Sequence, residues 1–180
     1  MCVSIENNES PICADCGGAC CQSYAGAYHP NDFGHEITEE FLESLFNPVL
    51  TSTPQVSIDW YENFNGANRK GFFLRPRHVG GDVVDPSYGE VCINLTGHGC
   101  TLDWDHRPWQ CKLLVPNISY ACGDPNVDVK YEAAVAWDKY HDLLDKMYKK
   151  YDKGTFTGYK PGTFGARILS IAQSLRLEEK

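Results

Sequence analysis

A chain of 180 residues and 20.2 kDa is of single-domain length, long enough to bury roughly two-thirds of its unfolded surface without a metal to compensate for a small core. Hydrophobic residues make up 42% of it, yet no apolar run approaches the ~20 residues of a membrane-spanning helix, so a soluble protein with no membrane partner is expected. The net charge of −8 is uneven: residues 1 to 68 hold ten acidic side chains and no Lys or Arg, which argues against nucleic acid as a partner.

Residues 1 to 12 read as an irregular polar lead-in with Cys2 standing alone. They lack the basic and apolar regions of a signal peptide, so a reducing cytoplasm is the expected compartment. There, nine cysteines point to metal ligation or redox chemistry rather than to a disulfide framework. The run Cys13-Ala-Asp-Cys16-Gly-Gly-Ala-Cys20-Cys21 follows, and its small residues let a backbone close around a compact object. Two cysteines separated by two residues can place both sulfurs on one soft metal ion. Neighbouring Cys20 and Cys21 diverge in most backbone conformations, so one is a bystander or the two serve different metal atoms.

Thr38 with Glu39 and Glu40 reads as a capped helix start, and Phe41, Leu42, Leu45 and Phe46 give a short helix over 38 to 46 one apolar side. Residues 55 to 61 alternate, with Val56, Ile58 and Trp60 on one face, and Arg69 to Arg75 surrounds Phe72-Phe73-Leu74. Both are predicted strands, paired antiparallel through the Asn65-Gly66 turn. Glu90 to Leu95 is strand-like, Gly97-His98-Gly99-Cys100 is a tight loop, and Pro108 opens a segment that carries Cys111. From about 127 to 153, Ala133, Trp137, Tyr140, Leu144, Met147 and Tyr151 recur at steps of four and three, the period of one buried helix face that ends at Gly154. Thr163 caps a last helix, with Phe164, Ile168, Ile171, Ala172 and Leu175 inward. The expected fold is therefore α+β: a single domain over 1–180 with a small, irregular, metal-stapled part, a short antiparallel sheet, a long amphipathic helix and a C-terminal helix, the helical part (127–177) packing on the rest.

The cysteines fall into two groups, Cys13, Cys16, Cys20 and Cys21, then Cys92, Cys100 and Cys111. In this order, with Cys92-Ile-Asn-Leu, Gly99-Cys100-Thr-Leu and Arg107-Pro108 before Cys111, residues 13 to 116 resemble the YkgJ-like cysteine-cluster family, a zinc- or iron-chelating domain. The family's shorthand has two residues before its Cys-Cys pair, whereas this chain has three, which leaves open which of Cys20 and Cys21 ligates. The resemblance implies a bound metal centre and, through a related cluster in flagellin lysine methylases, a four-iron, four-sulfur (4Fe-4S) cluster. It implies no reaction, and it does not reach the C-terminal helices.

Chemistry alone leaves the centre open. A structural zinc takes four ligands, so seven thiols suit one zinc with spare cysteines or two zincs sharing a thiolate, and a four-iron cluster also needs four protein ligands. Arg107, Arg75, Arg77 and Lys112 are candidates to offset thiolate charge, although Arg107 serves equally as a lock on its own loop through Asp103 or Asp105. His29, His35, His98 and His106 are candidates to complete a shell, each set against a plain packing role. Asp103, Asp105 and His106 have the makings of an acid-base set. Two functions follow. One is a metal-binding module that chelates an iron-sulfur cluster or zinc and presents its helices to a protein partner. The other is an iron-sulfur-dependent oxidoreductase or group-transfer enzyme that uses the remaining cysteines.

Overall fold

The computed structural model describes residues 21–22, 25–48, 55–87, 90–97, 99–113 and 128–154. Cys2, Cys13, Cys16, Cys20, His98, Cys122 and the expected helix from Thr163 lie outside the described residues.

Helix α1 spans Glu39–Phe46; the Thr38 hydroxyl caps it by accepting from the Phe41 N–H at 3.2 Å, and Leu42, Leu45 and Phe46 are buried. Strands β1 (Val56–Tyr61) and β2 (Gly71–Pro76) pair antiparallel in the register Ile58 opposite Leu74 and Asp59 opposite Phe73. Their connection needs left-handed backbone at Asn63, Asn65 and Gly66, which side-chain amides and glycine tolerate best. Neither outer edge of this hairpin is bare. The Tyr28 N–H donates to the Leu74 carbonyl at 2.8 Å on one side, and on the other Ile58 exchanges bonds with Val83 and Asp85.

Both faces of the hairpin are covered. The even positions, Val56, Ile58, Trp60, Phe72 and Leu74, form the expected apolar face. The opposite face carries Ser57, Asp59, Tyr61, Gly71, Phe73 and Arg75, and all of these except Tyr61 are buried too. Helix α3 (Val129–Trp137) packs on that second face: Tyr131 meets Tyr61 and Phe64, and Lys130 reaches Asp59 at 3.2 Å. A Cβ on Gly71 would lie 2.9 Å from that of Ala134 and 2.6 Å from the Phe64 ring, so only glycine admits this approach. Helix α4 (His141–Tyr151) packs on the first face, with Tyr148 against Trp60 and Phe72. The single long helix expected over 127 to 153 is therefore two, joined by a 3-10 turn at Asp138–Tyr140, because the chain passes from one face of the hairpin to the other there. The periodic stripe continues through the turn, which is why periodicity alone could not show it.

Along the chain, Cys92, Cys100 and Cys111 lie between the hairpin and these helices. Strand-like Glu90 to Leu95 is not a strand: Cys92 makes an isolated bridge with His78, and only β3 (Leu95–Thr96) pairs with β4 (Gly99–Cys100). Cys111 sits in the short helix α2 (Trp109–Leu113). The architecture is α+β, with the core built from both faces of one hairpin. No helix among the described residues is long and apolar enough to cross a membrane.

Candidate functional site

The site is built on Ala25 to Tyr28, a buried segment laid along the outer edge of β2. Gln110 of α2 clamps it: the Ala27 N–H donates to Gln110 Oε1 at 2.7 Å, and the Gln110 N–H donates to the Ala27 carbonyl at 3.1 Å. This pairing satisfies two buried backbone groups that no sheet partner reaches. A Cβ added at Gly26 would stand 2.7 Å from Cys111 Sγ, so the missing side chain is what lets the sulfur approach the backbone. Asp32 fixes the start of α2, accepting from the Trp109 N–H at 2.7 Å and from the His29 N–H at 2.8 Å, with Lys112 3.5 Å away.

The second cysteine group converges on the same place. Cys92 is buried, while Cys100 and Cys111 are half-buried. Burial pushes the Tyr28 hydroxyl far above its ordinary pKa, and the negative potential of Cys111, Cys92, Asp32 and Cys100 pushes it further. Cys92, Cys100 and Cys111 therefore all lie within electrostatic range of one phenol, which stays protonated. The first group is represented by Cys21, which adjoins it directly: the Cys92 N–H donates to the Cys21 carbonyl at 2.9 Å. Two cysteine groups distant in sequence thus touch through their backbones. Among the described residues, no three Cys, His, Asp or Glu side chains gather closely enough to hold a metal ion.

The cations proposed to offset thiolate charge make the following contacts. Arg77 donates to the carbonyls of Phe46 and Val56 at 3.0 and 2.9 Å. Arg107 donates to the Leu102 carbonyl at 3.0 Å, locking its loop, and its charge also acts on Asp103. Lys112 pairs with Asp32 and donates to the Asp105 carbonyl at 3.0 Å. Among the histidines, His29 caps a 3-10 turn by accepting from the Asn31 N–H, and His35 packs near Phe41. His106 pairs with Asp103 at the surface, where this hydrogen bond holds the Asp103 carboxyl below its ordinary pKa. The Asp103, Asp105 and His106 set is an exposed turn cap.

Sequence reasoning missed a buried polar cluster behind Cys92. Arg75, fully buried, donates through Nε to Asp59 at 3.1 Å, through Nη1 to the His78 ring, 2.8 Å from Nε2, and through Nη2 to the carbonyls of Asp85 and, at 3.2 Å, Ser87. His78 offers both ring nitrogens to Arg75 Nη1, Nδ1 lying 3.3 Å from it, and which of them accepts depends on the tautomer. The same Nδ1 faces Ser87 Oγ at 3.3 Å and Asp85 Oδ2 at 3.5 Å. Burial pushes the Asp85 carboxyl up, but the bonds from His78 and Ser87 and the Arg75 charge outweigh it and hold Asp85 well below the usual carboxylate range. The one sequence signal was the polar content of the second strand face, Ser57, Asp59 and Arg75, in strands whose apolar residues already predicted burial. No family model, curated protein or solved structure matches the chain.

Proposed function

We propose that this protein is a metal-binding cysteine-cluster protein that chelates an iron-sulfur cluster or zinc through thiolates from both cysteine groups. The observation that carries the reading is the 2.9 Å hydrogen bond from the Cys92 N–H to the Cys21 carbonyl, which brings the end of the Cys13–Cys21 run against the second group. The donor chemistry fits a thiophilic metal: Cys92, Cys100 and Cys111 all act on one buried phenol, and Cys13, Cys16 and Cys20 precede Cys21 in a run rich in small residues. Such a centre supplies either a structural tie or, as an iron-sulfur cluster, one-electron chemistry. The chain's own contribution is to hold Cys111 against Gly26 through the Gln110 clamp and to seat Cys92 beside Cys21.

Protein purified without oxygen is expected to be brown, with a broad visible absorption and matching amounts of iron and acid-labile sulfide; colourless protein that contains zinc selects the zinc form. Cys16→Ser is expected to abolish the metal and Cys2→Ser to leave it. Wild-type protein without iron or zinc, or equal loss in both variants, overturns the reading.

A further inference from the structure

Cys92 is held from two sides. The Ile93 N–H donates to the Arg77 carbonyl and the Val79 N–H to the Val91 carbonyl, both at 2.9 Å, so His78 and Cys92 face each other as the non-hydrogen-bonded pair between two rungs. In such a pair the two side chains project to the same side at close range, while each residue's own N–H and C=O point outward. The outward groups of Cys92 are those that donate to the Cys21 carbonyl and accept from the Leu95 N–H. The position of Cys92 against Cys21 therefore follows from the position of His78.

His78 in turn is only 1% exposed, and its ring is gripped at both nitrogens by Arg75, Ser87 and Asp85. Arg75 is anchored to β1 through Asp59, which Lys130 of α3 also engages. A buried ionic cluster of this kind adds little stability over apolar residues of the same volume; what it gives is one fixed arrangement. Here that arrangement ties β1, β2 and α3 to the residue opposite Cys92.

We infer that Arg75 is a positioning residue for the cysteine centre, holding His78 and the Asp85 and Ser87 carbonyls so that Cys92 meets Cys21 in a fixed geometry. The inference rests on the metal-centre reading for its functional meaning, but the placement of Cys92 can be measured separately. Arg75→Lys keeps the charge and loses the fork. In the protein as purified, this variant is expected to let iodoacetamide reach Cys92, relative to Cys100, about tenfold faster than in the wild type, by local opening. Iron or zinc per chain is expected to fall by about half or more, as when a residue supporting a ligand is lost. Phe73→Leu, a core variant on the same strand, serves as the control for general destabilisation and is expected to change neither readout at an equal loss of Tm.

An unchanged Cys92 rate in folded Arg75→Lys, or an equal rise in Phe73→Leu, overturns the inference. If Arg75→Lys does not fold, Asp85→Asn carries the same reading through His78, with an expected rise of about threefold; no rise overturns it. Wild-type protein without metal removes the metal reading and leaves the labelling rates to decide on Arg75. Wild-type protein with metal and unaltered labelling in the variants removes Arg75 and leaves the metal reading standing.

Discussion

The hairpin with its two helices and the cysteine-bearing side of the molecule are stabilised in different ways. In the first, Ile58, Phe73, Leu74, Trp137, Leu144 and Met147 are wholly buried, and the strand backbone satisfies its own hydrogen bonds. In the second, the regular elements between 90 and 113 are, among the described residues, two-residue strands, a three-residue 3-10 turn and a five-residue helix, and single side chains supply the ties: Gln110 to Ala27, and Asp32 to Trp109. Apolar burial and strand pairing carry most of the hairpin side, with the buried Arg75–Asp59–Lys130 contacts on its second face. The cysteine side spends its sequence on thiols, glycines and caps, so its geometry depends on point contacts, and a bound centre has the most to contribute there.

Substitutions separate the two sides, and the largest effect is expected in the core. Leu74→Ala removes a fully buried side chain at the centre of β2 and should lower the unfolding free energy by about 2–5 kcal/mol, read by chemical denaturation. A loss confined to the cysteine side would contradict the division. On the cysteine side, Gly26→Ala drives a methyl into Cys111 Sγ and is expected to cost about 1–3 kcal/mol. Gln110→Ala leaves the buried Ala27 N–H unpaired, at a cost of about 1–3 kcal/mol. For both, native-state hydrogen exchange should show faster opening of 25–28 and 109–113 than of β1 and β2; uniform acceleration would mean one cooperative unit.

The buried cluster that joins the two sides has its own signature in pH. The Asp85 carboxyl is held below its ordinary pKa, so its contribution is fully present above the unfolded value of about 3.9 and is lost as pH falls from there toward the folded one. Asp85→Asn should therefore be less stable than wild type near neutrality, by about 1–3 kcal/mol, and should show a shallower fall of Tm below about pH 4. Parallel acid profiles for the two proteins would contradict this. The smallest effect is expected at the exposed Lys153–Asp82 pair, where Lys153→Ala should change stability by no more than about 0.5 kcal/mol on either side.

Much of the hairpin side was legible from residue patterns. The Thr38 cap, the alternation of Val56, Ile58 and Trp60, and the Asn65-Gly66 turn each have a local physical cause, and each appears where it was expected. The chain from Glu90 to Leu95 read as a strand because of its composition, but among the described residues it makes an isolated bridge at Cys92 and enters β3 only at Leu95, and a strand exists only where a neighbour runs alongside it. Arg75 read as a cation available to sulfur. Its place on the inner face of β2 turns it instead toward Asp59, His78 and the Asp85 and Ser87 carbonyls.

What the sequence determined by itself was whatever depends on near neighbours along the chain: caps, turns, the two-residue and 3.6-residue periods, and the clustering of soft ligands into two groups. The tertiary structure alone decided what depends on distant partners. It broke the helix at Asp138–Tyr140 to cover both hairpin faces, used the bare backbone of Gly26 to admit Cys111, and set Cys92 between His78 and Cys21. A periodic pattern records that a face is buried but not what buries it, and a cysteine carries its affinity for metal without recording which other sulfur it will meet.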